Sequence, residues 1–234
     1  IEVSKKERSR GAICKFYRVK ADSFSFSLDE SWEKIKLDEV PASDKVRDFF
    51  CDFIEDKTFR GSIVVGSPKE HGPFLTSARD GHYAVQLGVF LGDFCDLEKR
   101  FIVKLDTEVK AEEAHDRNLV LIGGPIANTV SRDLNEKLDV RFDWEDQWKI
   151  VSEKTGREYT GDNIGLIAKV EINGYSRLLL SGLHHKGTKS CIIGLTQYHE
   201  QILDDHEPES DFYRVIRGLD KDGDGKTDTI EVLE

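Results

Sequence analysis

Three times along this chain a short apolar run ends in glycine, and each time a polar loop and an amphipathic helical pattern follow. The runs are SIVVG at 62–66, LVLIG at 119–123 and SRLLLSG at 176–182. The helical stripes are Ala84, Leu87, Leu91 and Phe94, then Ile126, Val130, Leu134 and Leu138, then Ile192, Leu195 and Ile202. Continuous apolar strands are buried on both faces, and a helix after each strand returns the chain for a parallel partner. The pattern predicts an α/β fold: a mainly parallel sheet sandwiched by helices in three layers, Rossmann-like, with helices over 77–95, 125–138 and 188–203. Pro125 reads as the first residue of the second helix, and a further strand covers 101–105. Two antiparallel hairpins are added. One joins 165–172 to 175–181 through Asn173-Gly174, a preferred two-residue turn. The other joins 212–217 to 229–233 through an Asp/Gly loop. Residues 1–60, with strands at 13–19 and 24–28 and a helix over 43–55 capped by Ser43, read as a sub-layer packed on a main domain of 61–234.

The terminal loop carries the most specific motif. Asp220, Asp222, Asp224, Gly225, Lys226, Asp228 and Glu231 satisfy D-x-D-x-D-G-x5-E. A hard cation takes six to eight oxygens, and the offsets offer carboxylates at positions 1, 3, 5, 9 and 12 and the Lys226 carbonyl at 7. Ca²⁺ is the expected cofactor. The flanks read as strands, so the ion is expected to tie two strands together rather than open a helical groove.

Charge narrows the function classes. Lys plus Arg number 34 and Asp plus Glu 45, a net of −11. Nucleic-acid binding relies on a basic footprint, so no nucleic-acid partner is expected despite the basic residues of 1–20. No stretch supplies the ~20 apolar residues of a membrane span. Residues 1–12 do not resemble a secretory signal, which points to the cytoplasm; a cell-surface place follows if the chain is a fragment. Cys14, Cys51, Cys95 and Cys191 lie far apart, form no CxxC and read as buried free thiols. The absence of methionine and the scarcity of Asn and Gln give a thermophile-like composition.

Ligands of parallel sheets bind beyond the carboxyl ends of the strands. There the three loops present Ser67, Lys69, His71 and Arg79, then Asn128, then His184, His185 and Lys189. Helix N-termini offer free N–H groups and a positive dipole, so a small-molecule or anionic ligand is the expected occupant of this edge. No GxGxxG, GxxxxGK[ST] or GxSxG motif is present, and no catalytic residue is assigned. Trp144 and Trp148 read as a half-buried helical turn, and the stretch around His115 as a solvated loop.

Gly123, Gly124, Pro125 and Asn128, with Gly182, Gly187, Thr188 and Lys189, resemble two strand-to-helix units of the archaeal S-layer-like domains. The resemblance extends over 118–234. It implies an α/β domain used in cell-surface layers or appended to other archaeal proteins, with no known catalysis. The expected function is a binding or interaction module with a structural Ca²⁺ loop and a protein partner; the alternative is a small-molecule or anion-binding protein using the three-loop edge.

Overall fold

The computed structural model describes residues 2–9, 12–18, 44–113, 116–145 and 147–234, with the backbone alone over 2–18. Ser43, His115, the side chain of Cys14 and the strand expected at 24–28 lie outside the described residues. The chain divides into two units, Ile1–Leu37 and Asp38–Glu234. The first contains an antiparallel hairpin of β1 (Glu2–Ser9) and β2 (Ala12–Arg18).

The second unit begins with α1 (Asp44–Phe49) and a 3-10 turn (Cys51–Phe53), followed by β3 (Ile54–Glu55), β4 (Thr58–Phe59) and β5 (Ser62–Val65). Then come α2 (Tyr83–Gly92), β6 (Asp96–Leu97), β7 (Val103–Leu105), α3 (Asp106–Ala111) and β8 (Leu119–Ile122). α4 (Thr129–Asn135) leads to β9 (Val140–Asp143), β10 (Lys149–Ser152) and β11 (Glu158–Tyr159). The chain ends through β12 (Ile164–Ile172), β13 (Tyr175–Gly182), α5 (His185–Gln197), α6 (His199–Ile202), β14 (Phe212–Leu219) and β15 (Thr229–Val232).

The central sheet has seven strands in the order β15-β14-β12-β13-β8-β5-β7. β13, β8, β5 and β7 are parallel neighbours. β13–β12, β12–β14 and β14–β15 are antiparallel. This corrects the expected mainly parallel, Rossmann-like three-layer sandwich. The hairpins read as additions supply four of the seven strands of the central sheet itself. The first of them is made by the Asn173-Gly174 turn, where both residues have positive φ (54° and 78°). That geometry matches the twist of antiparallel strands and reverses the chain within two residues.

Alternation along each strand splits the core. Ile63, Val65, Val120, Ile122, Leu178 and Leu180 pack with residues of α1, α2, α5 and α6. Val64, Leu119, Leu121, Leu166 and Leu179 pack with Val109, Val130 and Leu134 and with Val140, Phe142 and Ile150 of a small sheet, β11-β10-β9. Part of the second face is thus covered by strands instead of helices. Residues 77–82 are not helical, and α4 begins at Thr129, so Pro125 precedes the helix by a turn. α5 begins at His185, which brings Gly187 and Thr188 into its first turn. Trp144 and Trp148 lie on the β9–β10 connection, their rings 6.1 Å apart, and not on a helical turn. Cys95 and Cys191 are buried free thiols, whereas Cys51 is exposed. Among the described residues no helix is long and apolar enough to cross a membrane.

Candidate functional site

β5, β8 and β13 are parallel neighbours, so the segments after Val65, Ile122 and Gly182 emerge at one sheet edge. Asn128 is fully buried there as the N-cap of α4. Its Oδ1 accepts the Val130 and Ser131 N–H groups, both at 3.1 Å. Its Nδ2 donates to the Ile122 carbonyl at 3.1 Å and the Val64 carbonyl at 3.4 Å. The side chain is fully engaged in joining two strand ends to a helix start.

Ser67 and His71 converge on a residue the motifs did not single out, Asp106. This carboxylate is fully buried at the start of α3. Oδ1 accepts the Ser67 N–H at 2.9 Å. Oδ2 accepts the Thr129 N–H at 2.7 Å and the Thr129 hydroxyl at 2.8 Å, and meets His71 Nε2 at 2.7 Å. His71 Nδ1 lies 2.8 Å from the Lys69 carbonyl. Burial opposes the charge on Asp106, but these donors outweigh it and hold its pKa below the ordinary carboxylate value. Burial likewise works against protonated His71, and the Lys69 carbonyl and Asp106 carboxylate overcome it and raise the imidazole pKa. The positive end of α4 therefore already faces a carboxylate of the chain. The sequence signal was an Asp at a strand-to-helix junction, a common helix start whose partners are distant in sequence.

Asp80 links all three loops. It is 7% exposed, and its Oδ1 has no hydrogen-bond partner. Gly123, at φ +104°, passes so close that a Cβ there would lie 2.9 Å from Asp80 Oδ2. The Thr188 hydroxyl in the first turn of α5 acts to lower the pKa of this carboxyl and accepts the Gly182 N–H at 3.1 Å. Burial pushes the Asp80 pKa up, against the pull of Thr188, His82 and His185. Ser181 Oγ, also fully buried, is another polar atom without a partner at this edge. Arg79, His184 and His185 are exposed, and His184 Nε2 lies 3.4 Å from Asp162 Oδ1.

At the other candidate, the β14–β15 loop, Asp220, Asp222 and Asp224 each offer an oxygen within 4.8 Å of the others. This is the one such group of three or more His, Cys, Asp or Glu among the described residues. Asp220 accepts the Gly223 and Gly225 N–H groups, both at 2.7 Å. Asp222 accepts the Asp224 N–H at 3.1 Å, and Asp224 accepts the Lys226 N–H at 2.8 Å and its ammonium at 2.5 Å. Asp228 accepts the Lys221 N–H at 2.8 Å. Glu231 is paired across the strands with Arg217, at 3.2 Å. The loop thus brings three carboxylates together, while Asp228 and Glu231 are engaged elsewhere.

Residues 97–199 match the family described as S-layer like family, outer domain. The match takes in Asn128, Gly182 and Thr188 and supports the S-layer-like resemblance read from those motifs. The β14–β15 loop lies beyond it. No curated protein matches the chain.

Proposed function

We propose that the chain is an S-layer-like binding or interaction module, placed at the cell surface, whose terminal hairpin is tied by a structural Ca²⁺ ion. The observation that carries the metal reading is the triad Asp220, Asp222 and Asp224 on a loop that joins two strands. Its donors are hard oxygens, the kind Ca²⁺ takes. The Lys226 carbonyl would add a fourth oxygen, and Asp228 would join through the oxygen that does not accept the Lys221 N–H. Glu231 joins only by leaving Arg217. Bound Ca²⁺ would offset the mutual repulsion of the carboxylates and cross-link the ends of β14 and β15. The family match at 97–199 supports the S-layer-like part of this reading.

Scanning calorimetry with millimolar Ca²⁺ and with chelator tests the metal. Ligand at 100 times Kd adds about 2.7 kcal/mol, a rise of roughly 5–10 °C for a chain of this size. Asp222→Asn/Asp224→Asn is expected to abolish the rise. Equal melting of the wild type in both conditions sinks the reading.

A second reading, a small polar ligand at the three-loop edge, is favoured by one observation: Asp80 Oδ1 is buried there without a partner. Its test is a high-resolution crystal structure grown from native protein, in which a lone water on Asp80 counts against it.

A further inference from the structure

β4 and β6 run parallel, Thr58 beside Asp96 and Phe59 beside Leu97. Arg60 and the segment 98–100 therefore leave the small sheet side by side. They line a cleft of about 530 Å³ with Leu97, Lys99 and Thr58. Glu98, its side chain 14% exposed, sits between two guanidinium groups. Arg60 Nη1 donates to Oε1 at 2.6 Å, and Arg100 Nε donates to Oε2. Arg100 Nη2 reaches the Arg60 carbonyl at 3.4 Å. Arg60 and Arg100 pull the Glu98 pKa below the ordinary carboxylate value, so it stays ionised at neutral pH.

A guanidinium carries five N–H donors in a fixed fork. Glu98 takes one from each arginine, the Arg60 carbonyl a third, and Glu55 lies 3.6 Å from Arg60 Nε. Most donors of both forks are left over, and the heads are about half exposed, 45% and 48%. Three cations face two carboxylates, Asp96 and Glu98, in the lining. With Glu55 beside Arg60 the charges balance here, in a chain of net −11. The cleft is open to solvent and has room for a small molecule.

We propose that this cleft binds a small organic acid: Arg60 and Arg100, oriented by Glu98, receive a second carboxylate, while Leu97 contacts the hydrocarbon body of the ligand. Glu98 sets the forks and also competes for them.

The test is a titration of the whole chain with succinate, read by isothermal calorimetry and by amide chemical shifts of residues 58–60 and 96–100. Saturable binding in roughly the millimolar range is expected. Arg100→Lys keeps the charge and loses the fork, and should weaken binding about tenfold. Lys99→Ala should change it less than about twofold. Glu98→Gln frees donors and should tighten binding several-fold, a gain that misfolding cannot mimic. Three outcomes overturn the proposal: no saturation by 50 mM succinate on the scale set for weak ligands, equal binding of sulfate and succinate in wild type and Arg100→Lys, or weaker binding by a folded Glu98→Gln.

Discussion

His71 Nε2 and Asp106 Oδ2 meet at 2.7 Å, and through this contact the loop after β5 is fastened to the start of α3. Asp106 also serves Ser67 and Thr129, so its loss strands several buried donors at once. Asp106→Ala should cost about 3–5 kcal/mol in urea unfolding, the range for removing one partner of a buried charged network. A cost below about 1 kcal/mol would show that the network closes without it.

The same pair sets a pH signature. The raised His71 pKa means its contribution is complete below the ordinary value of 6.5 and is lost as pH rises through the folded value. The lowered Asp106 pKa means its contribution is complete above 3.8 and is lost as pH falls through the folded value. The stability gap between wild type and His71→Gln should therefore be widest near pH 5–6 and narrow by pH 9. Melting curves across that range check it; a gap independent of pH contradicts it.

Asp80 has the opposite sign. Its pKa is raised by burial, so stability from this group is present below 3.8 and lost as pH rises through the folded value. Asp80→Asn removes the buried charge and is expected to stabilise the fold by roughly 1 kcal/mol at pH 7, and by nothing near pH 3.5. A destabilised variant at pH 7 would mean that the ionised carboxylate serves the fold or a ligand.

Short apolar runs made β5, β8 and β13 readable, because a strand buried on both faces needs little beyond its own residues. Loops at one edge followed from the shared strand direction. The sheet as a whole did not follow. Asn173-Gly174 was visible as a hairpin turn, but whether a hairpin stands apart or joins the central sheet depends on β14, which pairs with β12 from some 45 residues away (Ala168 with Tyr213). Asp106 was hidden for the same reason: Ser67 lies 39 residues away and His71 35. Glu231 fitted a spacing rule, yet strand register sets it opposite Arg217. A motif counts offsets; a strand alternates faces.

Glycine packing separates positions that look alike in sequence. A Cβ on Gly187 would lie 1.9 Å from the Ile164 carbonyl oxygen, which is backbone and cannot swing away. On Gly88, in α2, a Cβ meets nothing within 4 Å. Gly187→Ala should cost about 3 kcal/mol or more through overpacking. Gly88→Ala should gain about 0.5–1 kcal/mol through helix propensity. Denaturant midpoints of the two variants check both signs, and a tolerated Gly187→Ala would mean that α5 shifts along β12.

Glu234 reaches from the strand end beyond β15 into the small sheet. Its carboxylate accepts the Ser152 hydroxyl at 2.6 Å, the Thr155 hydroxyl at 2.7 Å and the Tyr159 hydroxyl at 2.6 Å. Its own carbonyl accepts the Val215 N–H at 2.9 Å, which fixes the backbone behind it to the central sheet. Burial works against this carboxylate, but Ser152, Tyr159, Thr155 and Arg157 outweigh it and lower the pKa. The contribution is therefore complete above 4.5 and is lost as pH falls through the folded value. Glu234→Ala should cost about 2–3 kcal/mol at pH 7, for three hydroxyls left without their charged acceptor. The gap to wild type should shrink at pH 3. Because β9–β11 cover one face of the central sheet, the loss should appear first as faster amide exchange over 149–159, with β8 and β13 unaffected. Unchanged exchange there would show that the small sheet is held by its apolar side chains, Val140, Phe142 and Ile150 among them, without Glu234; a uniform rise across the chain would show that the loss is not confined to it.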